Sequence, residues 1–279
     1  MSVLQVQGLS KNYPAFRLEN VSFELPEGRI TGFIGRNGAG KTTTLKALTG
    51  FVHPDAGSVR FFGMDWKGNE QRIKQRIGYV SGGVSFYPGK RLRLITEITR
   101  SFYPEWDDAM YRSLMSRFAL DENKTPSQLS EGMKVKYALA LALSHRASLL
   151  MLDEPTSGLD PVSRDELLDI LLALQKEGVT ILFSTHITSD LEKCADDILY
   201  IRQGRIQAYE DLRQYTAGYR FAALTEEQYE RADQSLLIGA KQGKDGWRAL
   251  VRSEDAPKLG VPCQSAGLET IMVHLEKEE

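Results

Sequence analysis

The stretch Gly35-Arg36-Asn37-Gly38-Ala39-Gly40-Lys41-Thr42-Thr43 constrains the fold more than any other part of the chain. It follows an apolar run, Ile30-Thr31-Gly32-Phe33-Ile34, that reads as a buried strand, and it precedes Thr44 to Thr49, which reads as the start of a helix. A strand, a glycine-rich turn and a helix in that order make a cradle for phosphate. Gly35, Gly38 and Gly40 permit backbone angles that a side chain would block, so successive N–H groups can converge on phosphate oxygens at a helix N-terminus. The pattern is G-x-x-x-x-G-K-[ST], in which Lys41 supplies a point charge for the β- and γ-phosphates and the Thr42 hydroxyl is placed to ligand Mg²⁺. A glycine-rich turn with a chance lysine would not require the flanking strand and helix. Nucleotide binding is therefore the working premise.

The totals narrow the remaining choices. With 279 residues the chain has room for one large domain plus a small one, or for two. A formal net charge of -2 and a pI near 6.2 give no overall basic field, which argues against a general nucleic-acid binder while leaving a local patch open. Cys194 and Cys263 lie far apart without metal-ligand spacing and read as free thiols in a reducing compartment. There is no apolar run of about 18 residues, and Met1 to Ser10 lacks the layout of a signal peptide. A soluble, cytoplasmic chain is the expectation, with any membrane span supplied by another polypeptide.

Along the chain, Val3–Gln7 and Val21–Leu25 alternate apolar and polar residues and read as half-solvated antiparallel edge strands. Tyr13, in the loop between them, is able to stack on a base or simply to cover a hairpin. Ser58–Phe62 and Ile77–Val80 read as strands. From Leu92 to Leu120 the period becomes helical, with Leu94, Ile95, Ile98 and Phe102 on one face and Met110, Leu114 and Phe118 on another. This stretch, about residues 85–144, is an inserted helical subdomain, and its aromatic and basic start (Phe86, Tyr87, Lys90, Arg91, Arg93) is either a solvated face or a docking surface.

Further on, Ser130 can cap a helix running from Met133 to Ser144, leaving first-turn N–H groups to face an anion. Leu149–Leu152 reads as a strand buried in a parallel sheet, ended by Asp153 and Glu154. Asp153 suits a carboxylate that holds hydrated Mg²⁺, and Glu154 suits a general base for the attacking water. An acidic pair after a strand is often only a helix cap, but Pro155 to Pro161 keeps the chain in a loop before the helix near Val162. Val179–Ser184 is another apolar strand, and His186 follows it, where ligands bind in open α/β sheets. His186 is placed to hydrogen-bond the γ-phosphate. Ile198–Ile201 and Arg205–Ala208 read as a closing hairpin and Tyr209–Tyr215 as a short helix. Beyond Ala217, short strands at Arg220–Leu224, Ser235–Ala240 and Trp247–Arg252 and an amphipathic helix through Leu268, Ile271, Met272 and Leu275 form a small α+β appendage.

Taken together these residues resemble the ATP-binding cassette ATPases, the motor subunits of ABC transporters. The resemblance covers about Met1 to Tyr215 and rests on an aromatic at Tyr13, the Walker A motif at Gly35–Thr43, a signature-like Leu129-Ser130-Glu131-Gly132-Met133, a Walker B at Leu149–Glu154, a D-loop at Ser157–Asp160 and a switch histidine at His186. It implies an α/β fold, a P-loop NTPase (RecA-like) core with an antiparallel edge sheet and the inserted helical subdomain; the C-terminal α+β appendage, residues 216–279, lies outside the resemblance and is read from the residues alone. It also implies ATP and Mg²⁺ as ligands, with contacts from Tyr13, Gly35, Asn37, Gly38, Ala39, Gly40, Lys41, Thr42 and Thr43, and with Ser130, Gly132 and Asp160 reaching the nucleotide of a second subunit in a head-to-tail dimer. The partners it implies are an integral membrane permease and a second cassette, identical or related, with the protein peripheral on the inner face of the membrane and no nucleic acid expected.

Two departures qualify the resemblance. Gly82 stands where the family ends its Q-loop strand with glutamine, and Met133 stands where the signature ends in glutamine. Ser130–Lys136 together with Phe102–Asp107 resembles the YtrB- or bacitracin-transporter-like branch of ABC-2 exporters. Competing readings are a non-transport cassette acting in translation or DNA repair, which usually has two cassettes or a long coiled coil, and an import-type cassette, since nothing in the motifs fixes direction.

Overall fold

The computed structural model describes residues 2–81 and 87–277. β1 (Ser2–Tyr13) and β2 (Phe16–Pro26) form an antiparallel hairpin whose alternation turns Leu4, Val6 and Leu9 inward with Leu18, Val21, Phe23 and Leu25. Tyr13 is the last residue of β1, paired with Phe16 across the turn, so the loop expected around it is only a hairpin tip. β3 (Ile30–Ile34) is buried at every position and leads through the glycine turn into α1 (Lys41–Leu48), which begins earlier than Thr44. β4 (Ala56–Phe61) and β5 (Met64–Asp65) return to the hairpin and complete a sheet of order β2-β1-β4-β5.

After α2 (Glu70–Lys74) and β6 (Ile77–Ser81) come the helices of the insertion, α3 (Leu92–Arg100), α4 (Asp108–Arg117) and α5 (Glu131–Ser144). Then follow β7 (Leu149–Asp153), α6 (Pro161–Lys176), β8 (Thr180–Thr185), α7 (Thr188–Cys194), β9 (Asp197–Arg202) and β10 (Arg205–Asp211). The main sheet has the order β10-β9-β3-β8-β7-β6, with β9, β3, β8, β7 and β6 parallel. Strands covered on both faces are buried at every position and mostly apolar, which is why β3, β7 and β8 carry no alternation.

In the insertion, the helix that begins at Glu131 is set by its cap: the Ser130 hydroxyl accepts from Met133 N at 3.3 Å. Asp107 caps α4 in the same way through Ala109 N and Met110 N. α3 departs from expectation. Its buried residues are Leu92, Ile95 and Thr96, while Leu94, Ile98 and Phe102 face out at 41%, 50% and 70% exposure. A hydroxyl network explains the rotation: Thr96 Oγ1 lies 2.9 Å from Tyr111 Oη and 2.8 Å from Tyr137 Oη, and Tyr137 donates to Leu92 O at 2.9 Å. Met110 is likewise exposed, whereas Leu114 and Phe118 are buried.

Contacts divide the chain into two compact units, Met1–His186 with Asp197–Tyr209, and Ile187–Asp196 with Glu210–Glu279. The second contains α8 (Leu212–Ala217), β11 (Tyr219–Leu224), α9 (Glu226–Arg231), β12 (Ile238–Gly243), β13 (Gly246–Arg252), β14 (Cys263–Ser265) and α10 (Leu268–Leu275), with a sheet of order β12-β13-β11-β14. The expected helix at Tyr209–Tyr215 starts later because Asp211 caps it through Arg213 N and Gln214 N, and Tyr209 stays in β10. α10 buries Leu268, Ile271 and Met272, and Leu268 N donates to Glu192 of α7 at 2.6 Å.

Candidate nucleotide site

The site forms at the C-terminal ends of β3, β7 and β8, where their carbonyl ends meet the N-terminus of α1. A Cβ on Gly35 would stand 2.3 Å from Ile201 O, so only glycine lets the chain leave β3 against β9. Gly40, at φ 117°, caps α1 and lies under Phe16 and Leu18 of the hairpin, whose ring carbon and methyl would stand 3.0 and 3.1 Å from an added Cβ. No side chain caps α1 and no acidic residue occupies its first turn, which leaves the N-terminal amides and their partial positive charge as the complement of an anion. Asn37 and Gly38 are exposed at the tip, Ala39 is buried beneath it, and Thr43 is half-buried two residues past the helix start.

Lys41 is 5% exposed, and its ammonium donates to Gly35 O at 2.6 Å and to Arg36 O at 3.3 Å, with Glu154 Oε1 at 3.5 Å. The Asp153 carboxylate ends β7 and is buried. Its Oδ1 accepts from Ser184 Oγ at 3.2 Å and from Thr42 Oγ1 at 3.3 Å. Glu154 turns out of the strand in the left-handed region, at φ 52°, a conformation costing about 1–2 kcal/mol for a residue with a side chain. Its N–H donates to Ser184 O at 2.8 Å, and the turn sends its carboxylate between a ring and an ammonium: Oε2 lies 2.7 Å from His186 Nδ1 and Oε1 faces Lys41. The strain is held by these contacts and aims the carboxylate into the site.

The oxygen donors of Thr42 and Asp153 fit a hard cation such as Mg²⁺. Mg²⁺ keeps several waters and needs only one or two protein oxygen ligands beside substrate phosphates, which one carboxylate and one hydroxyl can supply.

Ser130, Gly132 and Asp160 form a second group. Asp160 caps α6, accepting from Val162 N, Ser163 N and the Ser163 hydroxyl, and the hydroxyl bond leads in holding its carboxyl below the ordinary carboxylate range. Gly132 packs on Ser163 and Leu159, 3.5 and 3.6 Å from where its Cβ would be. Among the described residues no hydrogen bond or ion pair joins this group to Lys41, Asp153, Glu154 or His186. Tyr13 is 42% exposed with the Lys11 ammonium 6.0 Å from its ring centre, and its hairpin partner Phe16 carries the contact to Gly40. Phe16 and Ser184 escaped the sequence reading. Ser184 had a signal, a hydroxyl inside an otherwise apolar strand; Phe16 had none. Gly82 and Phe86 lie outside the described residues.

Comparison with known proteins places this geometry. Residues 18–157, about half of the chain, match the family described as ABC transporter. The lantibiotic transport ATP-binding protein SrtF of Streptococcus pyogenes is 35% identical over 211 residues, 73% of this chain and 89% of its own length. The ABC transporter ATP-binding protein YtrB of Bacillus subtilis (strain 168) is 31% identical over 203 residues, 72% of this chain and 69% of its own. A solved structure of an ATP-binding subunit of an ABC transporter has a TM-score of 0.69 at 29% identity, covering 76% of this chain and 93% of that one. The resemblance drawn from the motifs, the YtrB-like branch included, is borne out, and with the P-loop, the Asp153–Glu154 pair and His186 gathered in one site this chain belongs to the ABC transporter family as an ATP-binding, ATP-hydrolysing subunit.

Proposed function

We propose that this protein is the motor of an exporter. It binds ATP with Mg²⁺, pairs head to tail with a second cassette, identical or related, and drives a separate integral membrane permease that moves a peptide, an antibiotic or a lipid outward. The observation that carries this reading is the convergence of Lys41, Asp153, Glu154 and His186 on the N-terminus of α1. Lys41 and the uncapped amides hold the β- and γ-phosphates. Thr42 and Asp153 are the residues that would hold Mg²⁺, which when bound would offset charge on the phosphate oxygens. Glu154 takes the proton of the attacking water, and His186, fixed by Glu154 at 2.7 Å, presents its ring to the γ-phosphate. Tyr13, exposed at the tip of its hairpin, stacks on the base.

The separation of Ser130, Gly132 and Asp160 from that convergence supports a composite site, completed by the second cassette. The exposed rings and aliphatic chains of Tyr87, Leu94, Ile98 and Phe102 support a docking surface for the permease on the insertion. Among the described residues no helix is long and apolar enough to cross a membrane, so the permease supplies the span and holds this subunit on the inner face. SrtF is named for lantibiotic transport, and that name supports the peptide end of the substrate range.

Glu154→Gln keeps the hydrogen-bonding shape and removes the base. Turnover should fall about 10²–10⁴-fold, and the ATP-bound variant should elute as a stable dimer in size-exclusion chromatography with light scattering. Wild-type turnover would refute the assignment of the base. Affinity purification from detergent-solubilised membranes, with an integral membrane polypeptide in near-equal amount, tests the permease; ribosomal or DNA-bound material instead would refute the transport reading.

A further inference from the structure

A cavity of about 450 Å³, lined by none of the nucleotide-site residues, lies between the end of α2, the turn after α5 and the segment joining α3 to α4. Arg72, Arg76 and Arg146 all line it. Its walls are fixed. The Arg76 guanidinium lies 3.7 Å from the ring centre of Phe62, and Arg76 O accepts from Ser148 N at 3.0 Å, which ties the end of α2 to the start of β7. Tyr103 stacks on His145 with ring centres 3.9 Å apart, and His145 Nδ1 lies 3.1 Å from Gln75 O. Burial favours the neutral imidazole, so the positive charge of the cavity is that of its arginines, offset in part by Glu105 on the same wall.

Each arginine taken alone has an ordinary explanation. Arg72 stands in the last turn of α2 and Arg146 just past α5, where cations complement a helix C-terminus, and the Arg76 side chain covers an aromatic ring. Three observations go further. Among the described residues the guanidinium groups of Arg72 and Arg76 have no hydrogen-bonding or ionic partner, and that of Arg146 has one contact, to Asp107 Oδ2 at 3.4 Å. Arg146 also takes φ 61° in the turn that closes α5, where Arg146 N bonds Leu143 O at 2.9 Å and Ala147 N bonds Ala142 O at 3.3 Å. Glycine is the residue such a turn favours, and here an arginine occupies it. Ser148, on the same cavity, has a buried hydroxyl without a hydrogen-bond partner, although buried hydroxyls are normally satisfied.

We propose that this cavity binds a phosphate group, at a site separate from the nucleotide site, through Arg72, Arg76 and Arg146. A guanidinium fork bonds a pair of phosphate oxygens, so several forks converge usefully on a tetrahedral dianion, whereas a single fork already satisfies a carboxylate. The Ser148 hydroxyl gains the partner it lacks. Inorganic phosphate and the headgroup of an acidic phospholipid share this chemistry. The wall residue Tyr103 directly follows Phe102, which is 70% exposed beside it, so the cavity borders an apolar surface that a lipid-bearing partner can cover. The inference does not depend on the exporter reading.

The first probe is inorganic phosphate, titrated calorimetrically into the full chain and into Lys41→Ala, which removes the ammonium of the phosphate cradle and leaves the cavity untouched. Both should bind phosphate at the cavity. Combining Arg72→Gln with Arg146→Gly should weaken that binding at least about tenfold, because charge-assisted contacts are lost from two sides. Misfolding is not the expected outcome, since glycine suits φ 61° and should raise the unfolding midpoint by about 2–4 °C. Arg231→Gln, in the second unit and paired with Glu227, is the charge control and should change nothing. The second probe is flotation with phosphatidylcholine vesicles containing phosphatidic acid. Recovery that falls in the double arginine variant, and not in Arg231→Gln, assigns the site to a headgroup; phosphate binding with equal vesicle recovery assigns it to the free ion. Neither phosphate binding nor a difference in recovery overturns the site. Competition by acetate as strong as by phosphate at equal ionic strength, or an equal loss in Arg231→Gln, overturns it as well.

Discussion

Gly35→Ala is the sharpest test of how the phosphate cradle is held. The added methyl would stand 2.3 Å from Ile201 O, 3.0 Å from Ile201 Cγ2 and 3.2 Å from Ala39 Cβ. Relief to a tolerable 3.0 Å needs a movement of about 0.7 Å, and the obstructing atom is backbone. β9 has little room to retreat, because it is bonded to β3 on one side and β10 on the other, and Gly204 N is tied to Ala39 O at 2.9 Å. Overpacking of this kind costs about 1–3 kcal/mol, which for a unit of this size lowers the unfolding midpoint by roughly 3–10 °C. The end of β3 must move instead, carrying the amides and Lys41 with it, and a displacement approaching 1 Å is expected to lower ATP turnover by about 10²-fold. Gly38→Ala is the control: nothing lies within 4 Å of its Cβ, and the change meets only the cost of φ 83°, about 1–2 kcal/mol, without pushing β3. Scanning fluorimetry without nucleotide and a coupled ATPase assay on both variants decide the matter. Parental unfolding and turnover in Gly35→Ala, or equal loss of turnover in the two, would refute the argument that contact with β9 sets the cradle.

Two further outcomes are expected elsewhere in the first unit. Thr96→Val leaves the buried hydroxyls of Tyr111 and Tyr137 without their shared partner and should cost about 1–3 kcal/mol in urea unfolding, with turnover per folded molecule unchanged. His145 is held below its ordinary pKa of about 6.5, mainly by burial, so its neutral form is favoured in the folded state. Its contribution is therefore fully present above that value and lost as pH falls toward the lower folded one; His145→Phe, which keeps the stack on Tyr103 (3.9 Å, 10°), should narrow the drop in unfolding midpoint between about pH 7.5 and about pH 5.5.

How much of this was legible follows from what each feature depends on. The cradle, Asp153, Glu154 and His186 could be read because each stands next in sequence to an apolar strand whose end carries it into the site, so local pattern and site position coincide. Phe16 and Ser184 reach the same site through hairpin packing and strand register, between residues far apart in sequence, and no local period encodes that. Phe16 is also an ordinary strand residue whose type gives no warning, while the Ser184 hydroxyl marks the position without naming its partner.

α3 was misread for a different reason, and that reason bears on function. Leu94, Ile95, Ile98 and Phe102 fit one apolar face at helical spacing, yet the helix turns Thr96 inward with Leu92 and Ile95 and leaves the others in solvent. A threonine gains that place only because Tyr111 and Tyr137 satisfy its hydroxyl, a long-range fact that hydrophobic periodicity ranks the wrong way round. The outward face of α3 is consequently more apolar than a solvated helix requires, and at roughly 25 cal/mol per Å² its exposure is a standing cost that a covering partner would remove. The proposed permease contact supplies that cover, and it makes a directional prediction: Ile98→Glu and Phe102→Glu, which touch neither the nucleotide site nor the Thr96 network, should leave the ATPase of the isolated protein intact and abolish co-purification of the membrane polypeptide. Undiminished co-purification of both variants would place the permease on another surface and leave the apolar face of α3 without a role in transport.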